Sequence, residues 1–556
     1  MRRIFLLSLF ALMLPLSSAF SQEGRDHNFE SGKSIEVFDA IYRYLDMMYV
    51  DTISPSRVVN AGITGMLNEL DPYTEYYPEE RQKELKELYT GKFAGVGAII
   101  RFNQQVKNVV IDEPYKGMPA DEAGLRKGDI ILAIDDSSMV GKDVSYVSSR
   151  LRGNPETTML LKYKRPSTGK TSEVRIMRRT IQNPSVPFYG MQNDSVGYLK
   201  LVDFTENSSK AVRHALVDLR QKGARKLVLD LRNNGGGSEL EAVKIVNLFV
   251  NKGVTVVSNR GKLKRVNHDY QTTEEPLDTL MPVVVLVNGG SASASEIVSG
   301  ALQDLDRAII LGTRTYGKGL VQMTVELPYN GNLKLTTSKY YIPSGRCIQA
   351  IDYSNGNSKY KEHIPDSLTR VFHTASGREV RDGGGIMPDV EVRPDSLPNI
   401  AFYLASSAID STEVLHNYVI DYIASHPTIA PARDFEISDS DYESFKSRVL
   451  ASGFTYDRQS EKFMKNLEDL MKFEGYYDDA KTEFEALKNK LSHNLAKELD
   501  YHRAILKEVI TSEIVTAYHY QSGAVENSLR YDKQMKEALR LMASPAEYSS
   551  LLRPKR

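Results

Sequence analysis

The sequence has little of several features that would place a protein in a specialised class. It contains one cysteine, Cys347, in 556 residues, so no disulfide can form within the chain, and we interpret this residue as structural. No stretch beyond the N-terminus approaches the ~20 apolar residues that a membrane-spanning helix requires, so we predict no membrane span. The formal net charge of −1 gives no reason to expect binding to nucleic acid or to an anionic membrane.

Motifs for metal-dependent or histidine-dependent hydrolysis are also missing. The sequence has no His-Glu-x-x-His motif and no cluster of cysteine and histidine, so we predict no metal site and no cofactor. His268, His363 and His373 lie in polar stretches without a recognisable Ser-His-Asp pattern. We interpret them as surface histidines, which leaves no support for the usual serine-protease triad.

The N-terminus has the pattern of a secretory signal peptide. Arg2 and Arg3 form a basic region, Ile4–Leu16 is apolar, and small residues follow. We predict a signal peptide over residues 1–21, cleaved after Ala19 or Ser21, and therefore an exported, periplasmic protein. The polar residues 21–33 are predicted to be disordered.

The most informative stretch runs from Val284 to Gln322. An apolar run, Val283–Val287, predicts a buried strand, and Asn288-Gly289-Gly290 then breaks it before a helix that begins near Ala294. A serine on such a corner lies at a helix N-terminus, where free N–H groups favour the negative charge of a tetrahedral intermediate. The alternative is that the serines of this corner are only turn and cap residues: Ser291, Ser293 and Ser295.

A lysine follows the next predicted strand. Ala308–Leu311 reads as buried, and Gly317-Lys318-Gly319 comes soon after it. Burial can lower the pKa of a lysine until it acts as a base. The stretch from Gly312 to Lys318 also matches most of a nucleotide-binding P-loop, but Gly319 replaces the required Ser or Thr. The following residues, 321–327, favour a strand where a P-loop needs a helix.

The two motifs N-G-G-S-A-S-A-S-E-I and Y-G-K-G-L-V-Q together resemble the signature of the C-terminal processing (tail-specific) proteases, which use a Ser/Lys pair. The resemblance implies that Ser293 is the nucleophile and that Lys318, 25 positions later, is its base. It also implies that Gln322 orients the lysine. The core is then expected to be an α/β peptidase of the ClpP/crotonase-like type.

A glycine loop, Arg232-Asn233-Asn234-Gly235-Gly236-Gly237, follows a predicted strand and precedes a helix. Glycines in this position let backbone N–H groups approach a ligand closely. The resemblance implies that Gly236 or Gly237 supplies one oxyanion donor and that Ala294 supplies the other. A phosphate-binding loop remains the alternative interpretation of the glycines.

A PDZ-like pattern precedes the predicted core. The sequence A-G-L-x-x-G-D-x-I, from Ala123 to Ile130, resembles a PDZ domain. Backbone N–H groups around Gly95, Val96 and Gly97 are expected to bind a chain-terminal carboxylate, with the peptide added as an edge strand. The alternative is a glycine-rich turn. Arg152 is expected to couple this domain to the peptidase core, although an exposed surface arginine is the simpler interpretation.

These patterns predict an α/β multidomain protein. Apolar residues at helical spacing from Ile35 indicate N-terminal helices, and Lys/Glu-rich helical patterns follow Asn399. The predicted parts are a signal peptide (1–21), an N-terminal helical segment (30–90), a β-rich PDZ domain (91–180), the peptidase core (184–396) and a C-terminal helical region (397–556). The last region is a helical appendage that could dimerise the enzyme, shape access to the cleft or dock a partner.

The function predicted from the resemblance is that of a serine endopeptidase. It would bind exported proteins through exposed, unstructured C-terminal tails and cleave them through an acyl-enzyme formed by the Ser/Lys dyad. Two alternatives stay open: a non-catalytic PDZ-bearing scaffold or chaperone, and a relative that binds hydrophobic small molecules. Homodimerisation is not decided by the sequence.

Overall fold

The computed structural model describes residues 15–353, 365–406, 409–491 and 494–554. Most of the predicted signal peptide, residues 1–14, lies outside the described residues. The chain divides into two compact units. The first comprises Met1–Tyr77, Thr324–Leu335 and Tyr353–Lys359, and the second comprises Pro78–Met323, Thr336–Asp352 and Tyr360–Arg556.

The helices of the described chain are α1 (Pro15–Met48), α2 (Pro55–Asn68), α3 (Gln82–Thr90), α4 (Pro119–Glu122), α5 (Val144–Leu151), α6 (Ser208–Gln221), α7 (Glu239–Asn247), α8 (Ala294–Asp304), α9 (Asn399–Ala405), α10 (Val414–Ser425), α11 (Asp439–Ala451), α12 (Gln459–Glu474), α13 (Tyr477–Lys490), α14 (Leu495–Tyr501), α15 (Arg503–Ser528), α16 (Lys533–Ala543) and α17 (Pro545–Leu551).

The strands of the described chain are β1 (Glu75–Tyr77), β2 (Lys92–Gly95), β3 (Ala98–Asn103), β4 (Asn108–Pro114), β5 (Ile130–Ile134), β6 (Ser137–Ser138), β7 (Thr158–Lys164), β8 (Thr171–Met177), β9 (Arg179–Gln182), β10 (Phe188–Met191), β11 (Val196–Lys200), β12 (Lys226–Asp230), β13 (Thr255–Gly261), β14 (His268–Gln271), β15 (Val283–Val287), β16 (Ile309–Gly312), β17 (Leu320–Glu326), β18 (Asn332–Tyr341), β19 (Val371–His373), β20 (Glu379–Arg381) and β21 (Val390–Glu391).

The first unit contains α1, α2 and β1, which pairs with Asn332–Lys334 of β18. Helix α2 has Ser54 as its N-cap and Pro55 as its first residue, a position where proline is favoured because its fixed φ suits the helix start. The prediction of disorder over residues 21–33 is wrong, since α1 runs through them. Polar residues do not stop a helix that has already nucleated, because each added residue forms a hydrogen bond that offsets the entropy lost when its backbone is fixed.

The PDZ domain is built on an antiparallel sheet with the strand order β3-β4-β5-β7-β8, and β6 pairs with β5. Its apolar core contains Val109, Ile111, Ile131 and Leu161, none of them exposed to solvent. Among the described strands, β3 lies at one end of this sheet, so one of its edges is unpaired. Helix α5 packs beside β3, which leaves the edge of β3 and the helix as neighbours.

The peptidase core is a six-stranded sheet with the order β10-β11-β12-β15-β16-β21. All neighbouring pairs are parallel except β10 with β11, so the core has the α/β architecture that the sequence predicts. Adjacent parallel strands end at the same edge of a sheet. The loops that follow β12 and β15 therefore meet there, and these loops carry the glycine motif and the three serines.

Both faces of this sheet are covered by helices. Val283, Val285 and Val287 of β15 pack with helices α6, α7 and α8 on one face, while Val284 and Leu286 pack with α16 and α17 on the other. The unbroken apolar run of β15 reflects this burial on both faces. The last two helices of the predicted C-terminal helical region therefore pack directly on the sheet of the peptidase core.

The remaining C-terminal helices form a separate apolar core. Residues of α9, α10, α11, α14 and α15 pack together there, among them Tyr442, Phe445 and Ile514. The predicted C-terminal helical domain is confirmed.

Candidate active site

The strand β15 and the helix α8 are joined by a tight turn that carries Ser293. Ser293 is the N-cap of α8 and has φ 55° and ψ −114°. A non-glycine residue rarely adopts such a backbone conformation, which costs ~1–3 kcal/mol and is found most often at functional sites. The predicted strand, turn and helix with a serine on the corner are confirmed.

The three serines of this turn have different environments. Ser291 and Ser295 are fully buried, and their hydroxyls donate to the carbonyls of Leu231 (2.8 Å) and Asn234 (2.9 Å). Ser293 is partly exposed. The hydroxyls of Ser291 and Ser295 therefore tie the serine turn to the glycine loop, and the N-cap Ser293 is the one of the three serines whose side chain is partly exposed.

A buried carboxylate, Glu296, links this turn to the lysine loop. Its Oε2 accepts hydrogen bonds from the backbone N–H of Ser293 and of Lys318, each over 2.9 Å. Its Oε1 accepts from the Gly317 N–H (2.7 Å) and the Thr315 hydroxyl (2.5 Å). Burial raises the pKa of the Glu296 carboxyl, and these hydrogen bonds oppose the rise. The carboxylate thus brings the backbones of Ser293 and Lys318 together.

The loop around Lys318 is held against the segment that follows β18. The carbonyl of Gly317 accepts from Ala350 N (2.9 Å), and the Gly319 N–H donates to Gln349 Oε1 (2.7 Å). Gly317 has φ +86°, and a Cβ there would lie 2.3 Å from the Ala350 Cβ. Only glycine fits this approach. Lys318 itself is partly buried.

The segment after Lys318 is the strand β17, which begins at Leu320. This confirms the predicted strand over 321–327 and excludes the P-loop interpretation, which requires a helix there. Gln322, on the same strand, donates from its amide nitrogen to Thr336 Oγ1 (3.1 Å). That hydrogen bond leaves the amide oxygen as the end of Gln322 that can accept from a lysine.

The glycine loop lies directly against the serine turn. A Cβ at Gly236, which has φ +99°, would lie 2.8 Å from the Ser293 Cβ and 2.9 Å from the Ala294 nitrogen. The Gly236 N–H donates to Asn234 Oδ1 (2.9 Å). The Gly237 N–H has no hydrogen-bond acceptor among the described residues, so of the two predicted glycine donors only Gly237 keeps its N–H for a ligand.

Two further ties fix the serine and glycine loops relative to each other. The backbone N–H of Asn233 donates to Asn288 Oδ1, and the amide of Asn288 donates back to Asn233 Oδ1, both over 2.9 Å. The Ala292 N–H donates to the Asn234 carbonyl (3.0 Å). A displacement of one loop would therefore displace the other.

Sequence reasoning missed two residues of this site. Tyr340, fully buried on β18, donates to the Ser293 carbonyl (3.2 Å). Glu296 lies three residues after the N-cap Ser293, and that spacing of a Ser and a Glu is the signature of a capping box. Glu296 could therefore have been recognised from the sequence, whereas no local pattern connects Tyr340 with the serine turn.

The residues predicted to bind a peptide terminus lie together between β2 and β3. The carbonyls of Val96 and Gly97 accept from Ala120 N (2.8 Å) and Tyr115 N (2.9 Å). Their N–H groups have no acceptor within the described chain. Gly95 ends β2, and Gly97 has φ +72°. This arrangement can present two backbone donors to an anion.

Arg152 lies elsewhere than predicted. Its guanidinium pairs with Glu87 of α3 (2.5 Å) and stacks over the Phe93 ring at 4.8 Å. These contacts connect the PDZ domain with α3, the helix that precedes it, and not with the peptidase core. The reason is that Arg152 directly follows α5, on the side of the PDZ domain that faces α3 and β2.

In the part of the chain that the structure describes, no group of three or more His, Cys, Asp or Glu side chains could hold a metal ion. No described helix is long and apolar enough to span a membrane. Asp304, at the end of α8, forms an ion pair with the buried Arg346 (2.8 Å) and accepts from Ser344 N (3.0 Å), so its role is structural.

Comparison with protein-family models gives three matches. Residues 195–354 match peptidase family S41, residues 110–165 match a PDZ domain, and residues 405–542 match the C-terminal helical domain of PDZ-proteases.

Individual proteins agree with these matches. A carboxy-terminal-processing protease from Bartonella bacilliformis is 36% identical over 323 residues, which cover 57% of this chain and 73% of that protein. A CtpA-like serine protease from Staphylococcus aureus (strain MRSA252) is 30% identical over 489 residues, or 87% of this chain and 84% of its own. Among solved structures, a photosystem II D1 C-terminal processing protease is 26% identical, with a TM-score of 0.35, and the match covers 65% of this chain and 93% of that one.

Proposed function

Because this chain belongs to peptidase family S41, among the carboxy-terminal-processing serine proteases, we propose that it is an endopeptidase in which Ser293 and Lys318 form the catalytic dyad. The observation that carries the proposal is the shared carboxylate oxygen of Glu296. It holds the backbones of both residues in one place, while the neighbouring Ser291 and Ser295 are buried.

The proposed reaction is acyl transfer. The neutral amine of Lys318 takes the proton of the Ser293 hydroxyl, whose oxygen attacks the scissile carbonyl carbon. The tetrahedral intermediate collapses to an acyl-enzyme as the lysine returns the proton to the leaving amine. Water then attacks the ester by the same route and releases the new carboxyl terminus. Gln322 orients the lysine through its amide oxygen, since its amide nitrogen is engaged by Thr336.

The oxyanion is stabilised by backbone N–H groups at the junction of the two loops. Ala294 begins α8, where the first helical N–H groups have no acceptor within the helix. We assign the second donor to Gly237, because the Gly236 N–H already donates to Asn234. Each such donor contributes about 3–4 kcal/mol of transition-state stabilisation. Gly236 contributes by its small size, which lets the loop lie against Ser293.

The PDZ domain would bind the C-terminal tail of the substrate. The unpaired edge of β3 accepts an added strand, and the N–H groups of Val96 and Gly97 receive its terminal carboxylate. The substrates would be exported proteins with unstructured tails, because the sequence predicts a signal peptide over residues 1–21 and a periplasmic location.

The test compares wild type with Ser293→Ala and Lys318→Ala, and uses Lys339→Ala, an exposed lysine of β18, as the control. Each protein is incubated with an unfolded protein that ends in an apolar tail, with a free or an amidated C-terminus, and products are identified by mass spectrometry. We expect loss of cleavage in the first two variants only, and slower cleavage of the amidated substrate. Cleavage by Ser293→Ala at the wild-type rate would overturn the dyad. Equal rates on both substrates would remove the recognition of the terminal carboxylate.

A further inference from the structure

We propose that Asp532, in the C-terminal helical domain, is a positioning residue for the glycine loop of the active site. This inference rests on the proposed function. Asp532 acts through Arg232, the residue that joins β12 to the glycine loop, and it makes activity depend on a contact between the helical domain and the peptidase core.

The Arg232 guanidinium is held from two sides. Its Nε and Nη2 donate to the two carboxylate oxygens of Asp230, over 2.9 and 2.6 Å. On the other side, Nη1 lies 2.6 Å from Asp532 Oδ2 and donates to Gln534 Oε1 (2.9 Å). The side chain of Arg232 is only 15% exposed, so these contacts replace most of its hydration.

The negative charge of Asp230 is shared between Arg232 and a second cation. The buried Asp230 carboxylate also accepts from the Tyr198 hydroxyl (2.7 Å) and lies 3.5 Å from Lys200 Nζ. Two cations therefore share one carboxylate. Asp532 supplies the second negative charge, which balances the cluster. Without it, two cations would face one buried carboxylate, and Nη1 of Arg232 would lose its charged partner, which weakens the hold on the start of the glycine loop.

Asp532 is itself rigidly placed. Its Oδ1 accepts from the backbone N–H groups of Gln534 (2.8 Å) and Met535 (3.1 Å), which makes it the N-cap of α16. Helix α16 packs on the outer face of the peptidase sheet, and the Tyr548 hydroxyl of α17 bonds both backbone groups of Val283. The cap oxygen and the Arg232 partner are thus different atoms of one carboxylate.

A displacement of Arg232 would reach the catalytic serine through few covalent and hydrogen bonds. Asn233 and Asn234 follow it directly and are tied to the serine turn through Asn288 and Ala292. Gly236, four residues after Arg232, lies against the Ser293 Cβ. Shifts of ~1 Å in reacting groups can reduce a rate by about 100-fold, so a modest movement of this loop is sufficient to lower kcat.

The experiment separates the ion pair from the helix cap. Asp532→Asn keeps an oxygen that can cap α16 but removes the charge that pairs with Arg232. Asp532→Ser keeps a hydroxyl that can cap α16, but this side chain is too short to contact Arg232. Lys533→Ala is the matched control, since Lys533 is the next residue of the same helix terminus and pairs with the exposed Asp395. For each protein, kcat and KM are measured on the unfolded apolar-tailed substrate, and thermal unfolding is followed in parallel.

We expect Asp532→Asn and Asp532→Ser to lower kcat about tenfold with KM and the unfolding temperature little changed, and Lys533→Ala to match wild type. If wild type cleaves and both Asp532 variants keep its kcat, the inference is wrong while the proposed function stands. If kcat falls only in proportion to the unfolding temperature, or falls equally in Lys533→Ala, the role of Asp532 is merely structural and the inference is wrong. Absence of cleavage by wild type would instead count against the proposed function.

Discussion

The backbone nitrogens of Ser293 and Lys318 donate to the same oxygen, Glu296 Oε2, each over 2.9 Å. They therefore lie no farther apart than twice that distance, although α8 and β16 separate them along the chain. A single buried carboxylate thus sets the spacing between the two residues of the proposed dyad, and it does so through their backbone N–H groups.

Replacing Glu296 by Gln should inactivate the enzyme and destabilise it. Glutamine has one acceptor oxygen, and its NH₂ group would face two of the four donors that the carboxylate satisfies. Buried donors left unpaired cost about 1–3 kcal/mol each. We expect the free energy of unfolding to fall by ~2–6 kcal/mol and kcat/KM to fall at least about 100-fold, measured by chemical denaturation and by cleavage kinetics.

Glu241→Gln is the matched control for that variant. Glu241 is also a buried carboxylate near a helix N-terminus, and it accepts from Ser209 N (2.8 Å) and pairs with Lys244 (2.7 Å). We expect a loss of stability with kcat/KM largely kept. Comparable activity in the Glu296 and Glu241 variants would show that Glu296 does not set the spacing of the dyad.

Adding one methyl group to the glycine loop should stop catalysis at position 236 but not at position 235. A Cβ on Gly236 would lie 2.7 Å from the Ala292 carbonyl and 2.8 Å from the Ser293 Cβ, whereas a Cβ on Gly235 meets nothing within 4 Å. Because the φ of +99° at Gly236 is also strained for alanine, we expect about 1–3 kcal/mol of destabilisation and a large fall in kcat for Gly236→Ala. Gly235→Ala should retain activity in the same assay, and equal losses would contradict this account.

Stability should fall in mild acid because of His416, a buried residue of α10 that lies beside Arg101, Asp112 and Lys127 of the PDZ domain. Burial lowers the pKa of His416 to about 3, and Arg101 and Lys127 add to this effect while Asp112 opposes it. Glu413, Asp410 and Glu513 line the same small polar cavity. In the unfolded chain histidine titrates near ~6.5. The unfolded state therefore binds a proton that the folded state does not, so stability is complete above that pH and declines as pH falls toward 3.

The measurement is the thermal unfolding temperature from pH 7 to pH 4.5. Each pH unit below ~6.5 should cost wild type on the order of 1 kcal/mol, and His416→Gln should show a flatter profile. His426→Gln is the control, because His426 lies at the exposed end of the same helix. If His416→Gln and wild type lose stability in parallel, the acid sensitivity has another origin.

The ion pair between Arg101 and Glu413 should couple the PDZ domain to the helical domain. The two groups meet at 2.9 and 3.0 Å, and the Glu413 side chain is only 1% exposed. Breaking such a pair leaves a buried charge, so we expect Glu413→Gln to cost about 3 kcal/mol. In a double-mutant cycle with Arg101→Met, followed by urea denaturation, the two losses should be non-additive by ~1–3 kcal/mol.

The exposed pair Arg393–Glu391, at 2.9 Å, provides the comparison. Solvent screens this pair, so its coupling should be at most ~1 kcal/mol. A coupling between Arg101 and Glu413 no larger than that would mean that their contact does not hold the two domains together.

The local elements of the site were predictable because each has a strong nearby pattern. The apolar run at β15, the break at Asn288 and the small residues of α8 lie within about twenty positions, and the structure follows them. The prediction of disorder over residues 21–33 is wrong, because the helix α1 continues through these polar residues. Their polarity alone does not indicate disorder. The capping-box spacing of Ser293 and Glu296 was present in the sequence, but nothing local revealed that Glu296 also binds the Lys318 loop.

By itself, the sequence determined the order of the domains, the strand-and-turn elements of the core and the residues that resemble a Ser/Lys pair, because these depend on periodicity, turn chemistry and motifs over short distances. Only the tertiary structure decided which of the three serines is partly exposed, which glycine N–H has no acceptor among the described residues, and that α16 and α17 pack on the sheet of the peptidase core. Those outcomes depend on contacts between distant segments, such as Asp532 with Arg232 and Tyr340 with Ser293. The physical reason is that burial and hydrogen-bond satisfaction are properties of the packed chain, and no short stretch of sequence specifies its distant partners.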